Sequence, residues 1–152
     1  MTENDPTLPV VSRLAGKMWT KWRFIGDRQG SAISGRTNSA QTQEWMGAVA
    51  AEPGVYELWV EPSGSLETLG KDFAVKYVGE AHDDTVRRCL HRHAIPHPRD
   101  KLFADVTDVY ANGAALWARY ILTDPLVAVA VEEKLRVDLG IGSTGRYPWN
   151  KP

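Results

Sequence analysis

The stretch that decides the fold of this chain is residues 54–79, GVYELWVEPSGSLETLGKDFAVKYVG. Within it, residues 55–60 and 73–78 are rich in Val, Tyr, Phe and Trp, a composition typical of β-strands. The segment between them, residues 61–72, contains one proline and two glycines, which favour a turn. We therefore expect a β-hairpin with a long tip at residues 61–72.

One tyrosine lies in each of the two predicted strands. Successive side chains of a strand point to opposite faces. Tyr56 should therefore share a face with Leu58, and Tyr77 should share a face with Val75 while Lys76 points away. If the apolar faces of the two strands match, both tyrosines lie on the same side of the sheet.

The rest of the chain alternates between helical and strand-like segments. Helices are predicted at residues 39–51, from an N-cap at Asp83 or Asp84 to about residue 94, and from Thr123-Asp124-Pro125 to about residue 139, with a short helix or turn near residues 99–106. Residues 114–122 are a third predicted strand, residues 17–25 a strand or an aromatic-rich arm, and residues 1–16 irregular. The sequence therefore predicts an α+β fold in which helices flank a small central antiparallel or mixed β-sheet.

The charge of the chain is nearly balanced, with 18 Lys and Arg against 19 Asp and Glu and a formal net charge of −1. This argues against a protein held on nucleic acid by bulk electrostatics alone. Residues 1–50 contain six basic and four acidic residues, so this part carries +2 and the remainder −3. We expect a basic, partly irregular N-terminal extension (1–50) with one helix, followed by a domain at residues 51–152.

Cys89 is the single cysteine among the 152 residues, so no internal disulfide can form and a reducing, cytoplasmic setting is predicted. No apolar run approaches the length of a membrane span, and the first residues lack the order of a signal peptide. We therefore expect no contact with a membrane.

The tripeptides Gly54-Val55-Tyr56 and Tyr77-Val78-Gly79 resemble the signature of the GIY-YIG nuclease family, whose name spells them out. An Arg eight residues after Gly79, a His twelve residues after it, a Glu on the last predicted helix and an Asn near the end complete the family's set. The resemblance covers residues 51–152. It implies a GIY-YIG endonuclease-like fold with six catalytic residues: Tyr56, Tyr77, Arg87, His91, Glu132 and Asn150.

Helical geometry separates two adjacent candidate arginines. At about 100° per residue, Cys89 and His93 lie on one flank of the apolar stripe of their helix, and Arg87 and His91 lie side by side on its other edge. Arg88 and Arg92 point to solvent, where Arg88 can pair with Asp84. Arg87 is therefore the predicted catalytic arginine, and the family's spacing agrees. The alternative is that Arg87 is only a solvated charge.

The histidines and glutamates pose similar choices. A zinc site of His91, His93 and His97 is an alternative reading, but no CxxC-type framework accompanies it. We expect His93 to be a half-buried structural residue and His91 to be the functional histidine. On the last helix Glu132 borders the buried stripe whereas Glu133 lies nearly opposite it, so Glu132 is the predicted metal ligand.

The resemblance also implies roles for these groups. Glu132 would hold one divalent cation, Mg²⁺ or Mn²⁺, and Asn150 would orient Glu132 or a metal-bound water. Arg87 would donate two parallel N–H groups to the phosphate. Tyr56 would deprotonate or orient the attacking water, with His91 relaying the proton. Tyr77 would orient the phosphate or the water. A free tyrosine titrates near pH ~10, so the role of Tyr56 needs a nearby cation.

The sequence thus predicts a metal-dependent endonuclease that hydrolyses phosphodiester bonds of DNA. The first alternative is a catalytically inactive nucleic-acid-binding module on the same fold, and a second is an interaction domain in which the tripeptides are coincidental. The expected partner is nucleic acid, and DNA is expected rather than RNA. A homodimer or an accessory protein could supply specificity.

Overall fold

The computed structural model describes residues 5–28, 30–31, 51–61, 74–95, 97–140 and 146–150. In this part of the chain five strands form one antiparallel sheet in the order β2-β1-β5-β3-β4, flanked by four α-helices. The strands are β1 (Arg23–Asp27), β2 (Gly30–Ser31), β3 (Gly54–Glu61), β4 (Val75–Ala81) and β5 (Ala115–Leu122). The helices are α1 (Leu8–Ala15), α2 (Val86–Ala94), α3 (Phe103–Ala111) and α4 (Pro125–Leu135), and α4 continues into a π-helical turn at Arg136–Gly140. The predicted α+β class with flanking helices is confirmed.

The predicted hairpin is present as β3 and β4, which pair antiparallel. Its second strand begins and ends later than predicted, and the predicted tip lies outside the described residues from residue 62 onward. Tyr56 is paired with Gly79 and Leu58 with Tyr77, but the next pair is Trp59 with Val75. Two residues of β4 are therefore used where β3 uses one, which is a β-bulge.

The bulge corrects one predicted face. Tyr77 packs in the same core cluster as Tyr56, and their ring centroids are 6.2 Å apart, so both tyrosines lie on one side of the sheet as predicted. Val75 packs with Val78 on the opposite side, so the prediction that Val75 shares a face with Tyr77 is wrong. The reason is that the extra residue resets the alternation of side chains between Val75 and Tyr77.

The core consists of two apolar layers, one on each side of the sheet. On the Tyr56 side, residues such as Leu90 of α2 and Val106 of α3 are fully buried. On the other side, Val11 of α1 packs in one cluster with Val131 of α4. Burial of such side chains contributes about 1.5–3 kcal/mol each, so both layers hold the helices on the sheet.

Residues 1–16 were predicted to be irregular, and this is wrong for α1. The helix has a proline in its first turn and ends at Gly16, whose φ of 64° is left-handed and suits glycine. Of residues 17–25, predicted to be a strand or an aromatic-rich arm, only residues 23–25 are in a strand, β1, which pairs with β5 in the same sheet. The described part of residues 1–50 therefore packs on the sheet that carries both tyrosines.

The helix ends follow capping chemistry. Thr85 is the N-cap of α2 and its hydroxyl accepts a hydrogen bond from the Arg88 amide at 3.1 Å, so the prediction of Asp83 or Asp84 is wrong. Asp124 caps α4 as predicted. Helix α3 starts and ends later than residues 99–106. The helix predicted at residues 39–51 lies, up to residue 50, outside the described part. None of the described helices is long and apolar enough to cross a bilayer.

A buried ion cluster on the α1 and α4 side was not predicted. Glu57 is 0% exposed and accepts hydrogen bonds from Arg119 at 2.7 Å, from Arg146 at 3.3 Å and from the hydroxyl of Tyr147. Arg119 also pairs with Asp5 at 2.9 Å. Burial opposes ionisation of Glu57, but the two guanidinium groups outweigh it and lower the pKa of this carboxyl. The cluster joins the start of the chain, two central strands and residues 146–150.

Candidate active site

The two tyrosines of the tripeptides lie in the wall of a cavity of about 770 Å³ between the sheet and α2. Most of the side chains that complete the wall are polar or charged. They include Glu80, Cys89, His91, Arg92, His93, His97, Arg99, Asp100, Lys101 and Glu132. Residues from β3, β4, α2, the loop after α2, and α4 therefore converge on one space.

Gly79 is required by the ring that covers it. A Cβ at this position would lie 2.5 Å from Cζ and Oη of Tyr56 and 2.8 Å from Cε2 of Tyr77. Gly54 is equally confined, because a Cβ there would overlap the carbonyl oxygen of Ile121 and lie 2.9 Å from Val86. The glycines of both tripeptides thus have a packing reason, and the one at position 79 places the Tyr56 hydroxyl.

A buried chain of hydrogen bonds runs away from Tyr56. Its hydroxyl is 2.7 Å from Nε2 of His93, and Nδ1 of His93 is 3.0 Å from Oδ2 of Asp100. The exposed fractions are 2% for both Tyr56 and His93, and 6% for the Asp100 side chain. His93 was predicted to be half-buried and structural. It is fully buried and contacts the tyrosine that was assigned to the chemistry.

The environment favours neutral tyrosines and an ionised aspartate. Burial raises the pKa of Tyr56 well above its usual value, and the charge of Arg92 opposes this only in part. Burial also raises the pKa of Tyr77, against the opposing effect of Lys101. Burial alone would raise the pKa of Asp100, but the hydrogen bond with His93 and the charge of Arg92 bring it below its usual range.

The structure separates the residues predicted on α2. His91 is exposed and contributes to the cavity wall, whereas Arg87 is exposed and is not among the described residues that line the cavity. Arg88 pairs with Asp84 at 3.4 Å, as predicted. Arg92 was predicted to point to solvent, yet it lines the cavity and donates to Asp84 at 3.4 Å. The catalytic role of Arg87 stays a prediction.

Three cations that were not singled out in the sequence lie around the cavity: Arg92, Arg99 and Lys101. The ammonium of Lys101 is 5.3 Å from the ring centroid of Tyr77, and all three residues are exposed. Such groups can contact an anion that enters the cavity without losing their own hydration entirely. Arg92 lies on α2, whereas Arg99 and Lys101 lie in the loop after it, which carries no local sequence signal for this arrangement.

Glu132 lines the cavity and Glu133 is exposed. The Glu132 side chain is 17% exposed and pairs with Arg136 at 3.2 Å. Burial raises the pKa of Glu132 and the charge of Glu80 adds to this effect, against the opposing Arg136. Partial burial and the nearby carboxylate of Glu80 thus disfavour the ionised form of Glu132, and a bound cation would offset both effects.

These residues fit a single divalent cation of the kind predicted. The described residues contain no group of three or more His, Cys, Asp and Glu side chains that could hold a metal ion. Mg²⁺ commonly binds through one or two carboxylates and keeps several waters. Glu132 with Glu80 in the same cavity matches that pattern better than it matches the tetrahedral His and Cys set of zinc.

Asn150 makes a pair of hydrogen bonds with the backbone of Val78. Its Oδ1 accepts from the Val78 amide and its Nδ2 donates to the Val78 carbonyl, both at 2.9 Å. Two further bonds run alongside, from the Tyr147 amide to the Val75 carbonyl and from the Trp149 amide to the Lys76 carbonyl. Asn150 therefore holds the strand between Tyr77 and Gly79, and both groups of its amide are engaged there rather than with Glu132.

Two residues of the site were missed in the sequence or given another role, His93 and Asp100. His93 follows the buried Cys89 by four residues, so the pattern placed it on the flank of the apolar stripe. Asp100 sits in a loop, and only its distance to His93 reveals it.

Comparison of the chain with protein-family models, with curated proteins and with solved structures found no match.

Proposed function

We propose that this chain is a metal-dependent endonuclease that hydrolyses phosphodiester bonds of DNA on a GIY-YIG-type fold. The observation that supports it is the convergence of Tyr56, Tyr77, His91 and Glu132 on one cavity of about 770 Å³. These residues come from four different elements and lie up to 76 positions apart in the sequence, and the proposed activity needs them to face one space. The cavity also combines cationic groups with a partly buried carboxylate, as cleavage of a phosphodiester requires.

The cations of the cavity would bind the phosphate. Arg92 and Arg99 present planar guanidinium groups that can donate two parallel N–H bonds to phosphate oxygens, and Lys101 adds a compact charge beside Tyr77. Arg87 remains the predicted phosphate ligand in this proposal, and Arg92 is the alternative candidate for the same role. Substituting each of the two by Ala separates them, because the phosphate ligand is the one whose loss lowers kcat.

Glu132 would hold the divalent cation, Mg²⁺ or Mn²⁺, which when bound polarises the phosphate and stabilises the departing 3′ oxygen. The oxygen of Tyr56 would take the proton of the attacking water while its own proton passes to the imidazole nitrogen 2.7 Å away. Tyr77 would orient the phosphate, since its ring lies 6.2 Å from that of Tyr56 and beside Lys101. Asn150 would act as a positioning residue through its two bonds to Val78.

The test is cleavage of supercoiled plasmid, linear duplex, branched DNA and RNA, with Mg²⁺, with Mn²⁺ and with EDTA. We expect metal-dependent nicking by the wild type, loss of about 10²-fold or more in Glu132→Gln, and near wild-type rates in the matched control Glu133→Gln. Equal activity of the two glutamate variants contradicts the assignment of Glu132. Absence of cleavage of every substrate with either metal contradicts the proposal.

A second candidate function is a nucleic-acid-binding module without chemistry. It is favoured by the burial that keeps Tyr56 in its neutral form and by the exclusion of Arg87 from the cavity wall. The same experiment decides between the two. A binder retains duplex DNA in EDTA at low salt and never nicks it, and its affinity falls as salt is raised.

A further inference from the structure

We propose that His93, oriented by Asp100, is the group that takes the proton of the Tyr56 hydroxyl. Tyr56, His93 and Asp100 then form one proton relay that starts at the cavity. This inference rests on the proposed function, because it names the final acceptor of the proton that the attacking water loses. It assigns to His93 and Asp100 the relay role that was predicted for His91.

The orientation of the imidazole follows from its two neighbours. An ionised carboxylate can only accept hydrogen bonds, so Nδ1 of His93 must carry a proton and donate a hydrogen bond to Asp100 at 3.0 Å. When the ring is neutral, this leaves Nε2 as an acceptor, and the group 2.7 Å from it is the hydroxyl of Tyr56. The hydroxyl therefore donates to His93, and its lone pairs remain available to the cavity.

The balance of the step is simple. As the water O–H bond breaks, its proton moves to the Tyr56 oxygen, and the Tyr56 proton moves to Nε2 of His93. The products are a hydroxide that adds to phosphorus, a neutral tyrosine and an imidazolium paired with the Asp100 carboxylate. Tyr56 never has to persist as a phenolate, which its burial disfavours.

His91 lacks this geometry. It is exposed on the other edge of α2, whereas His93 is 2% exposed and its ring centroid is 5.7 Å from Tyr56 and 5.6 Å from Tyr77. Besides Asp100, the titratable or charged groups that act on Tyr56 are Tyr77 on β4 and Cys89 and Arg92 on α2. Arg92 and Lys101, the latter in the loop after α2, also act on Asp100. The remaining titratable or charged groups of the described cavity wall are Glu80, His91, His97, Arg99 and Glu132. The charges of Arg92 and Lys101 disfavour a further positive charge on His93, and the carboxylate of Asp100 compensates for this effect.

A merely structural histidine would make the same contacts, so the test needs a readout that structure alone does not move. We would compare His93→Gln, which keeps hydrogen-bonding capacity but cannot carry a proton, with Asp100→Asn and with the control Asp108→Asn on the exposed face of α3. General-base loss predicts a decrease in kcat of about 10²–10⁴-fold for His93→Gln. We expect a smaller loss for Asp100→Asn together with a shifted pH profile, and neither change for Asp108→Asn.

The tautomer of His93 provides a second measurement that needs no cleavage. In ¹⁵N-labelled wild type, NMR should show the proton on Nδ1, and Asp100→Asn should weaken that preference. A proton on Nε2 overturns the relay, and so do unchanged kcat and pH profile in both relay variants of an active enzyme. If the wild type cleaves nothing, the proposed function and the relay that rests on it both fail, whereas an active wild type with unchanged relay variants overturns the relay alone.

Discussion

Substituting Gly79 by Ala tests the packing that positions Tyr56. The new methyl group would lie 2.5 Å from both Cζ and Oη of this tyrosine, whereas ordinary contact begins at 3.4 Å. The ring must therefore move by about 0.9 Å, because Tyr77 closes the other side at 2.8 Å. A displacement of that size is enough to break the 2.7 Å bond to His93, since a separation near ~3.6 Å is no longer a hydrogen bond.

The expected cost combines three contributions. Overpacking costs about 1–3 kcal/mol and loss of a buried hydrogen bond about 0.5–1.5 kcal/mol. Replacing a strand glycine by alanine returns about 0.5–1 kcal/mol through the unfolded chain. We therefore expect Gly79→Ala to lower the free energy of unfolding by about 0.5–4 kcal/mol, measured by urea unfolding followed through tryptophan fluorescence.

Gly140→Ala is the matched control, because its Cβ would meet only ordinary contacts, the nearest being Tyr147 at 3.4 Å. In a Tyr56→Leu background the penalty of Gly79→Ala should shrink, since the two colliding atoms are absent there. A Gly79→Ala protein as stable as the wild type, with the His93 tautomer unchanged, would refute the reasoning. A penalty that is the same with Leu at position 56 would refute the role of the tyrosine ring.

Three further predictions concern parts of the fold around the site. Glu57→Gln should cost about 3–5 kcal/mol in urea unfolding, because the two buried guanidinium groups lose the carboxylate between them and keep only Asp5 as an acidic partner. The folded state lowers the pKa of Glu57, so the contribution of this carboxylate is present above its usual pKa of about 4.5 and is lost as pH falls. The variant should therefore also show a flatter decline in stability below that pH. Asn150→Ala should raise hydrogen–deuterium exchange at Val78 more than elsewhere in the sheet, through loss of two bonds worth about 0.5–1.5 kcal/mol each, and unchanged exchange there would contradict its positioning role. Cys89 should resist alkylation at pH 8 in the folded protein and react rapidly in urea, since burial raises the pKa of its thiol, and a fast reaction of the native protein would show that the cavity exposes it.

The hairpin and the placement of both tyrosines on one side of the sheet were predictable, because they depend on local composition and on the alternation of side chains. The bulge at Lys76 was not, because register is set by partner strands and by the tail that contacts β4. Likewise, the stabilising contacts of Glu57 join it to residues 62 and 89 positions away, and no periodicity marks such pairs.

The choice of histidine shows a more specific limit. An apolar stripe on a helix has two edges, and both border whatever the helix covers. The pattern on α2 gave Arg87 and His91 on one edge and Cys89 and His93 on the other. Only the angle at which α2 crosses the sheet determines which edge meets Tyr56, and that angle depends on the contacts of α2 with several strands.

The bonds that residues 147–150 make with β4 have a consequence for the behaviour of the protein in concentrated solution. β4 is the outermost strand on its side of the described sheet, and such a strand offers a template on which a neighbouring molecule can add its own. Here the carbonyls of Val75 and Lys76 and both backbone groups of Val78 are already occupied. A chain cut before Arg146 would present them uncovered, and it should aggregate at concentrations where the intact chain stays dispersed.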